Sequence, residues 1–202
     1  MSLIQAGISK FDEHAVIVSF EQLPESLYRD AASLGWDFRS LERQDKLRVI
    51  FISPATLMEE LNAQISKVSD LILEVDARRL FIDGINMLET VERDPYLRRQ
   101  LIDQVIAAFR REGLRVYFSR EKPEMTPLGA AVESYIADTV IQLTYVQQYN
   151  RRIRYLEVVK SRGQEIVSGL HTFKIGQNGV HVFPRQKVPI LIPQPVAYAE
   201  KK

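Results

Sequence analysis

The sequence predicts an α/β fold: a mostly parallel sheet with helices on both faces, ending in antiparallel hairpins. Three observations carry this. Four short runs rich in β-branched and aromatic residues lie between residues 15 and 118. Segments of helical length and periodicity separate them, which is the pattern of parallel βαβ units. After about residue 126 the helical spacing gives way to alternating strands, one pair flanking Gln177-Asn178-Gly179, and Asn-Gly between alternating runs is a strong hairpin signal.

The elements follow in chain order. Leu3 to Ser9 reads as the tail of a helix, because no capping residue introduces it. Ala15 to Phe20 is a buried strand. Pro24-Glu25-Ser26 opens a helix, with proline in the first turn and an acid on the positive end of the dipole, and Gly35 suits its end. Leu47 to Ile52 is the second strand. Leu57, Leu61, Ile65, Val68, Leu71 and Leu73 recur at helical spacing, predicting one helix to Val75. Leu80-Phe81-Ile82 is the third strand. Asp94-Pro95 starts a helix that reaches about Arg111, before Gly113. Leu114 to Phe118 is the fourth strand. Val140 to Tyr149 and Ile153 to Lys160 meet at Tyr149-Asn150-Arg151, and Leu170 to Ile175 pairs with Val180 to Phe183. From Pro184 on, repeated prolines and a Lys-Lys end predict an extended tail. The expected division is a core over 1–184 and a tail over 185–202.

Composition narrows the function classes. The 202 residues suit one domain, and a formal net charge of +1 gives no global attraction to nucleic acid or membrane. The chain has no cysteine, which removes disulfides, thiol catalysis and Cys-based zinc sites. No apolar run approaches the roughly 20 residues of a membrane span, and no signal-peptide pattern opens the chain, so a cytoplasmic protein is expected.

Four segments bring chemistry to strand ends. Leu80-Phe81-Ile82-Asp83-Gly84 places a carboxylate at the carboxyl end of a buried strand, where ligands bind in open α/β sheets. In nucleotide-hydrolysing sheets such an aspartate holds Mg²⁺, though Asp-Gly is also ordinary turn chemistry. Val18-Ser19-Phe20-Glu21-Gln22 ends another strand in a carboxylate that can orient or deprotonate a water attacking a γ-phosphate, or that is simply solvated. Ser119, after Tyr117-Phe118, puts a hydroxyl at the same edge, where it can sense a phosphate or sit in a polar loop. Lys160-Ser161-Arg162-Gly163 places two cations on one side of an extended chain. They suit phosphate oxygens, or a solvated strand end. Glu21, Asp83 and Ser119 on one edge weigh more together than singly.

These segments, in this order, resemble the KaiC family of the RecA superfamily over about Ile4 to Arg185. Phe20-Glu21 with Pro24 resembles the family's SFEE-x-P segment, and Gly35-Trp36-Asp37 its GWD. Ala77 to Asp83 is similar to the Walker B strand, Lys160 to Gly163 to KxRG, and Gly179 to Pro184 to GI-x-IFP. The resemblance implies a RecA-like P-loop NTPase fold binding ATP and Mg²⁺. It makes Glu21 the catalytic glutamate and Asp83 the Mg²⁺-site aspartate, and has Lys160 and Arg162 reach a γ-phosphate held by the neighbouring subunit. A homo-oligomer, typically a hexameric ring, follows.

The sequence departs from the pattern as well. No stretch matches the phosphate-binding loop G-x-x-x-x-G-K-[ST]. Its place is just before Leu3, so the first core strand is also expected to be missing. The sequence then reads as a piece of a longer protein, or as a core completed by a partner chain or a rearranged segment. ATP hydrolysis by these residues alone is expected to be negligible. Gln22 stands where the family has a second glutamate, and a neutral amide is no base. The family's phosphorylated Ser-Thr pair falls at Ser134-Tyr135, keeping one hydroxyl of that type. Two alternatives accompany the ATPase reading. One is a non-catalytic ring-assembly or signalling module. The other is single-stranded nucleic-acid binding through Arg151, Arg152 and Arg154 with Tyr149 and Tyr155. Arg152 and Arg154 there point outward, as in an ordinary amphipathic strand. The loop with Arg120 and Lys122 also holds Glu121 and Glu124, which makes it poor for tracking phosphates.

Overall fold

The computed structural model describes residues 1–121, 132–148 and 150–184. Its elements run α1 (Ser2–Phe11), β1 (Ala15–Ser19), α2 (Pro24–Ser33), α3 (Phe38–Arg43), β2 (Leu47–Phe51), α4 (Pro54–Asn62), α5 (Lys67–Glu74) and β3 (Arg79–Asp83). A 3₁₀ turn at Ile85–Thr90 follows, then α6 (Pro95–Arg111), β4 (Arg115–Phe118) and α7 (Val132–Ile136). The chain continues in β5 (Thr139–Gln148), β6 (Arg151–Ser161), β7 (His171–Gly176) and β8 (Gly179–Phe183).

The first sheet is four-stranded and parallel, in the order β2-β1-β3-β4. β1 is central, and every one of its residues is buried, which is why the run Ala-Val-Ile-Val lacks polar alternation. Its residues divide by parity. Val16 and Val18 join Leu80 and Ile82 in a core closed by α4, α5, the 3₁₀ turn and α6. Ala15 and Ile17 face the other way, into a core closed by α1, α2 and α3. This three-layer arrangement is an α/β fold, as the strand and helix alternation predicts, and of the RecA-like kind that the family resemblance implies.

β5 to β8 form a second, separate four-stranded antiparallel sheet. The strands are where the sequence places them, but among the described residues they do not extend the parallel sheet. The β7–β8 turn carries Asn178 and Gly179 at φ of 67° and 93°. That turn also docks the second sheet onto the first domain layer. The Asn178 N–H donates to the Leu34 carbonyl at 2.9 Å. A Cβ at Gly179 would come within 2.5 Å of the Trp36 ring and 2.7 Å of Ser2 Oγ. Only glycine permits both the backbone angle and that approach. The GWD-like and GI-x-IFP-like segments are therefore packed on each other.

One predicted helix is two. Ala63 ends α4 in extended backbone, and Ser66 caps α5 by accepting from the Ser69 N–H. Two of the residues counted in the single apolar stripe, Ile65 and Leu73, are 82% and 68% exposed. The break is supported at the start of α5 by the Ser66 hydroxyl, which satisfies a helix-end N–H. Short elements α3, α7 and the 3₁₀ turn have no counterpart in the sequence reading. Residues 185–202, assigned to an extended tail, lie outside the described residues, as do Lys122, Glu124 and Tyr149.

Candidate functional site

Parallel strands put all their carboxyl ends on one edge, so β1, β3 and β4 deliver their terminal residues together. Ser19 at the end of β1 lies in register with Asp83 at the end of β3. The Ser19 hydroxyl is fully buried and accepts from the Gln22 N–H at 3.0 Å. That bond folds the chain after β1 back over the sheet edge and places Glu21 there. A Cβ built on Gly84 would lie 3.3 Å from Glu21 Oε1, so the Glu21 carboxylate sits against the residue that follows Asp83.

Ser119 completes the cluster from β4. Its hydroxyl donates to Asp83 Oδ1 at 2.7 Å and accepts from the Gly84 N–H at 2.8 Å. Two further backbone bonds stitch the strand ends: Ser119 N–H to Ile82 O at 3.0 Å and Ile85 N–H to Ser119 O at 3.0 Å. Gly84 has φ of 82°, a left-handed value that turns the chain away from β3 immediately after Asp83 and is open to glycine at no cost. The structure thus brings Glu21, Asp83 and Ser119 together. It also shows what the sequence did not: the hydroxyl proton of Ser119 is used on Asp83.

The charge of this cluster is uncompensated by side chains. Neither Glu21 nor Asp83 forms an ion pair with any described residue. The α-amino group of Met1 senses Asp83: burial pulls its pKa down while Asp83 works in the opposite direction. This puts the N-terminal end of α1 at the same rim. The described residues hold no group of three or more His, Asp or Glu side chains arranged around a metal. A lone aspartate with one unengaged oxygen fits a divalent cation held through water, with other oxygens supplied by a ligand, as Mg²⁺ prefers. A concavity of about 570 Å³ beside α2 and α3 is lined by Glu25, Trp36 and Arg39 among others. It contains none of Glu21, Asp83 or Ser119.

Lys160 and Arg162 lie elsewhere, on β6 and just past it, with no contact to the Asp83 cluster among the described residues. Lys160 Nζ donates to three carbonyls at the end of α7: Ser134 at 3.0 Å, Tyr135 at 3.3 Å and Ala137 at 2.7 Å. Arg162 donates to the Tyr135 carbonyl at 3.1 Å and to Asp138 Oδ1 at 3.3 Å. Asp138 also holds Arg110 at 2.6 Å. The basic and aromatic patch on the β5–β6 hairpin loses one member. Tyr155 is 1% exposed and so unavailable to a base. Tyr145, which the sequence reading did not single out, is exposed and carries Arg152 5.4 Å over its ring.

Comparison with known proteins agrees with the fold and with the order of the segments. The family model described as KaiC ATPase matches residues 1–187. The chain belongs to the KaiC ATPase family. The circadian clock oscillator protein KaiC of Synechococcus elongatus is 31% identical over 187 residues, covering 88% of this chain and 36% of that protein. The KaiC proteins of Prochlorococcus marinus strain SARG and of Parasynechococcus marenigrum are 31% and 29% identical, each over 91% of this chain and 38% of their own length. The chain therefore spans a little over a third of these relatives. As a KaiC-family chain it carries a RecA-type ATPase core, and no helix of the described residues is long and apolar enough to cross a membrane.

Proposed function

We propose that the rim formed by Glu21, Asp83 and Ser119 is the ATP and Mg²⁺ site of this core, and that the chain works in a homo-oligomeric ring. The observation that carries the reading is the convergence of three strand ends on Gly84, with two carboxylates left unpaired by any cationic side chain of the described residues. Mg²⁺ bound there would offset the charge of phosphate oxygens. Asp83 would hold it through water. Ser119 keeps Asp83 aimed by donating to one of its oxygens. Glu21, exposed and without an ion pair among the described residues, orients or deprotonates the attacking water; Gln22 has no basic group for that task. Lys160 and Arg162 reach a phosphate bound by the next subunit.

The phosphate cradle of such sites is built from backbone N–H groups at the start of a helix and a loop lysine. These 202 residues contain no G-x-x-x-x-G-K-[ST] stretch, so the chain by itself hydrolyses ATP negligibly. The test is ATP turnover by the 202-residue chain and by a form extended upstream of residue 3 with a phosphate-binding loop. The extended form should turn over, and Glu21→Gln should slow it by about 10²–10⁴-fold, the usual contribution of a positioned base. Robust turnover by the 202-residue chain, or an extended form indifferent to Glu21→Gln, sinks the proposal.

A further inference from the structure

The contacts of Lys160 and Arg162 are more specific than those of solvated strand-end cations. α7 has five residues, and a helix this short has no stability of its own in water. Its last carbonyls have no partner within the helix. Three acceptors from this end, Ser134, Tyr135 and Ala137, converge on Lys160 Nζ. An ammonium has three hydrogens, so this set uses all of them. Arg162 adds a bond to the Tyr135 carbonyl and closes the joint through its own N–H, which donates to the Asp138 carbonyl at 2.9 Å. Positive charge at a helix C-terminus is also favoured by the dipole.

We infer that Lys160 and Arg162 form a two-position clasp: they hold the end of α7 in their own subunit, or they bind phosphate oxygens, but not both. The phosphate-bound position rests on the reading given under Proposed function; the α7-bound position is the one described. Exclusivity follows from the hydrogen-bond capacity of Lys160, because a saturated ammonium cannot take a phosphate oxygen without releasing a carbonyl; Arg162, whose five donors exceed its described contacts, strengthens either position without imposing the choice. Release has a consequence beyond the clasp. α7 keeps Ile136 against the main core and Tyr135 under Arg99, 5.7 Å from the ring centre, but the carbonyls at its end lose the hydrogen bonds from Lys160 and Arg162. A phosphate taken by Lys160 and Arg162 therefore loosens the end of α7 at Ser134 to Asp138. By linkage, anything that stabilises α7 weakens the hold on phosphate by the same factor.

Amide hydrogen exchange over residues 134–139, read by mass spectrometry on the 202-residue chain, tests the clasp, with tripolyphosphate as the probe. Without the probe these amides should be protected, and the double variant Lys160→Met, Arg162→Met should exchange about tenfold faster or more, the effect of losing a charge-assisted hydrogen bond. Lys160→Arg, which keeps the charge, should retain part of the protection. Tripolyphosphate should bind the unaltered chain and speed exchange at 134–139 in step with occupancy, and should do neither in the double variant. The clasp is overturned by unchanged protection in the double variant. It is equally overturned by no binding of tripolyphosphate, or by binding that needs the two cations yet leaves 134–139 protected. Competition by tripolyphosphate together with a loop-extended form that neither binds nor hydrolyses ATP would refute the ATPase reading and leave the clasp in place.

Discussion

At the scale of single residues, Ser119 carries the most consequence for its size. Gly84 is buried and its N–H has Ser119 Oγ as acceptor; Asp83 has the same hydroxyl as donor. Ser119→Ala removes both bonds at once and strands the Gly84 N–H, a loss of about 1–3 kcal/mol by the usual cost of an unmade buried bond. Urea unfolding should show that loss, and Ser119→Thr should recover most of it. In the loop-extended form the same alanine variant should demand more Mg²⁺ for half-maximal turnover, because Asp83 is no longer held. A stability loss with an unchanged Mg²⁺ requirement would leave Ser119 as a fold residue only. The positions of Glu21 and Asp83 were legible because parallel strands share a carboxyl edge, whatever the details of packing. The work of Ser119 was not, since a strand-end serine reads the same whether its proton goes to a neighbouring aspartate or to a phosphate. Tyr155 shows the same limit: strand alternation puts it inward, and only the packed sheet shows how completely it is buried.

At the scale of elements, the opposite edge of the parallel sheet is tied by an ion cluster. Arg79 on β3, 8% exposed, donates to Glu13 at 2.6 Å and to the Leu3 carbonyl at 2.8 Å, so it joins β3 to both ends of α1. Gly7 on α1 leaves room for that guanidinium, which a Cβ there would strike. Arg115 at the start of β4 binds the other oxygen of Glu13. The hydrogen bonds from Arg115, and next from Arg79, hold the Glu13 carboxyl below its ordinary pKa of 4.5. A carboxyl whose pKa is lower in the folded chain adds stability that is complete above the unfolded value and fades as pH falls through the folded one. The stability gap between the unaltered chain and Glu13→Gln should therefore be widest near neutral pH and narrow as pH drops below 4.5. Denaturation series at several pH values would show it. A gap independent of pH would mean that Glu13 acts by shape and not charge. Elements themselves were readable where caps and periodicity agree, as at Asp94-Pro95, where the Asp94 carboxylate accepts from the Tyr96 and Leu97 N–H groups. They were misread where the two conflict, at Ala63 to Ser66. The elements absent from the reading are short, and a one-turn helix such as α7 leaves no periodicity to find; the carbonyls at its end are held by Lys160 and Arg162, far along the chain.

At the scale of the whole molecule, the question is how two sheets make one site. Glu21 and Asp83 belong to the rim of the parallel sheet, Lys160 and Arg162 to the antiparallel sheet, and no contact joins the pairs among the described residues. The β7–β8 turn of the second sheet reaches the helical layer over the first, through Asn178 on Leu34 at the end of α2, which fixes it beside α1 and α2. A head-to-tail ring resolves the separation, since a heterologous interface sets one surface of a chain against a different surface of its neighbour. That arrangement makes a prediction no single-chain site shares. On the proposed reading, the loop-extended Glu21→Gln form lacks the base and the Arg162→Ala form lacks the reaching cation, so each variant ring should be inactive. In a mixed ring, a site is complete when the chain holding ATP is Arg162→Ala and its neighbour is Glu21→Gln. With equal amounts placed at random, half times half of the sites qualify, so activity should return to about a quarter of the unaltered level in a closed ring of one interface type. Turnover measured across mixing ratios should peak at equal amounts. If every mixture stays as inactive as its components, both groups serve within one chain, and the separation of the sheets would have to be bridged by rearrangement rather than by assembly.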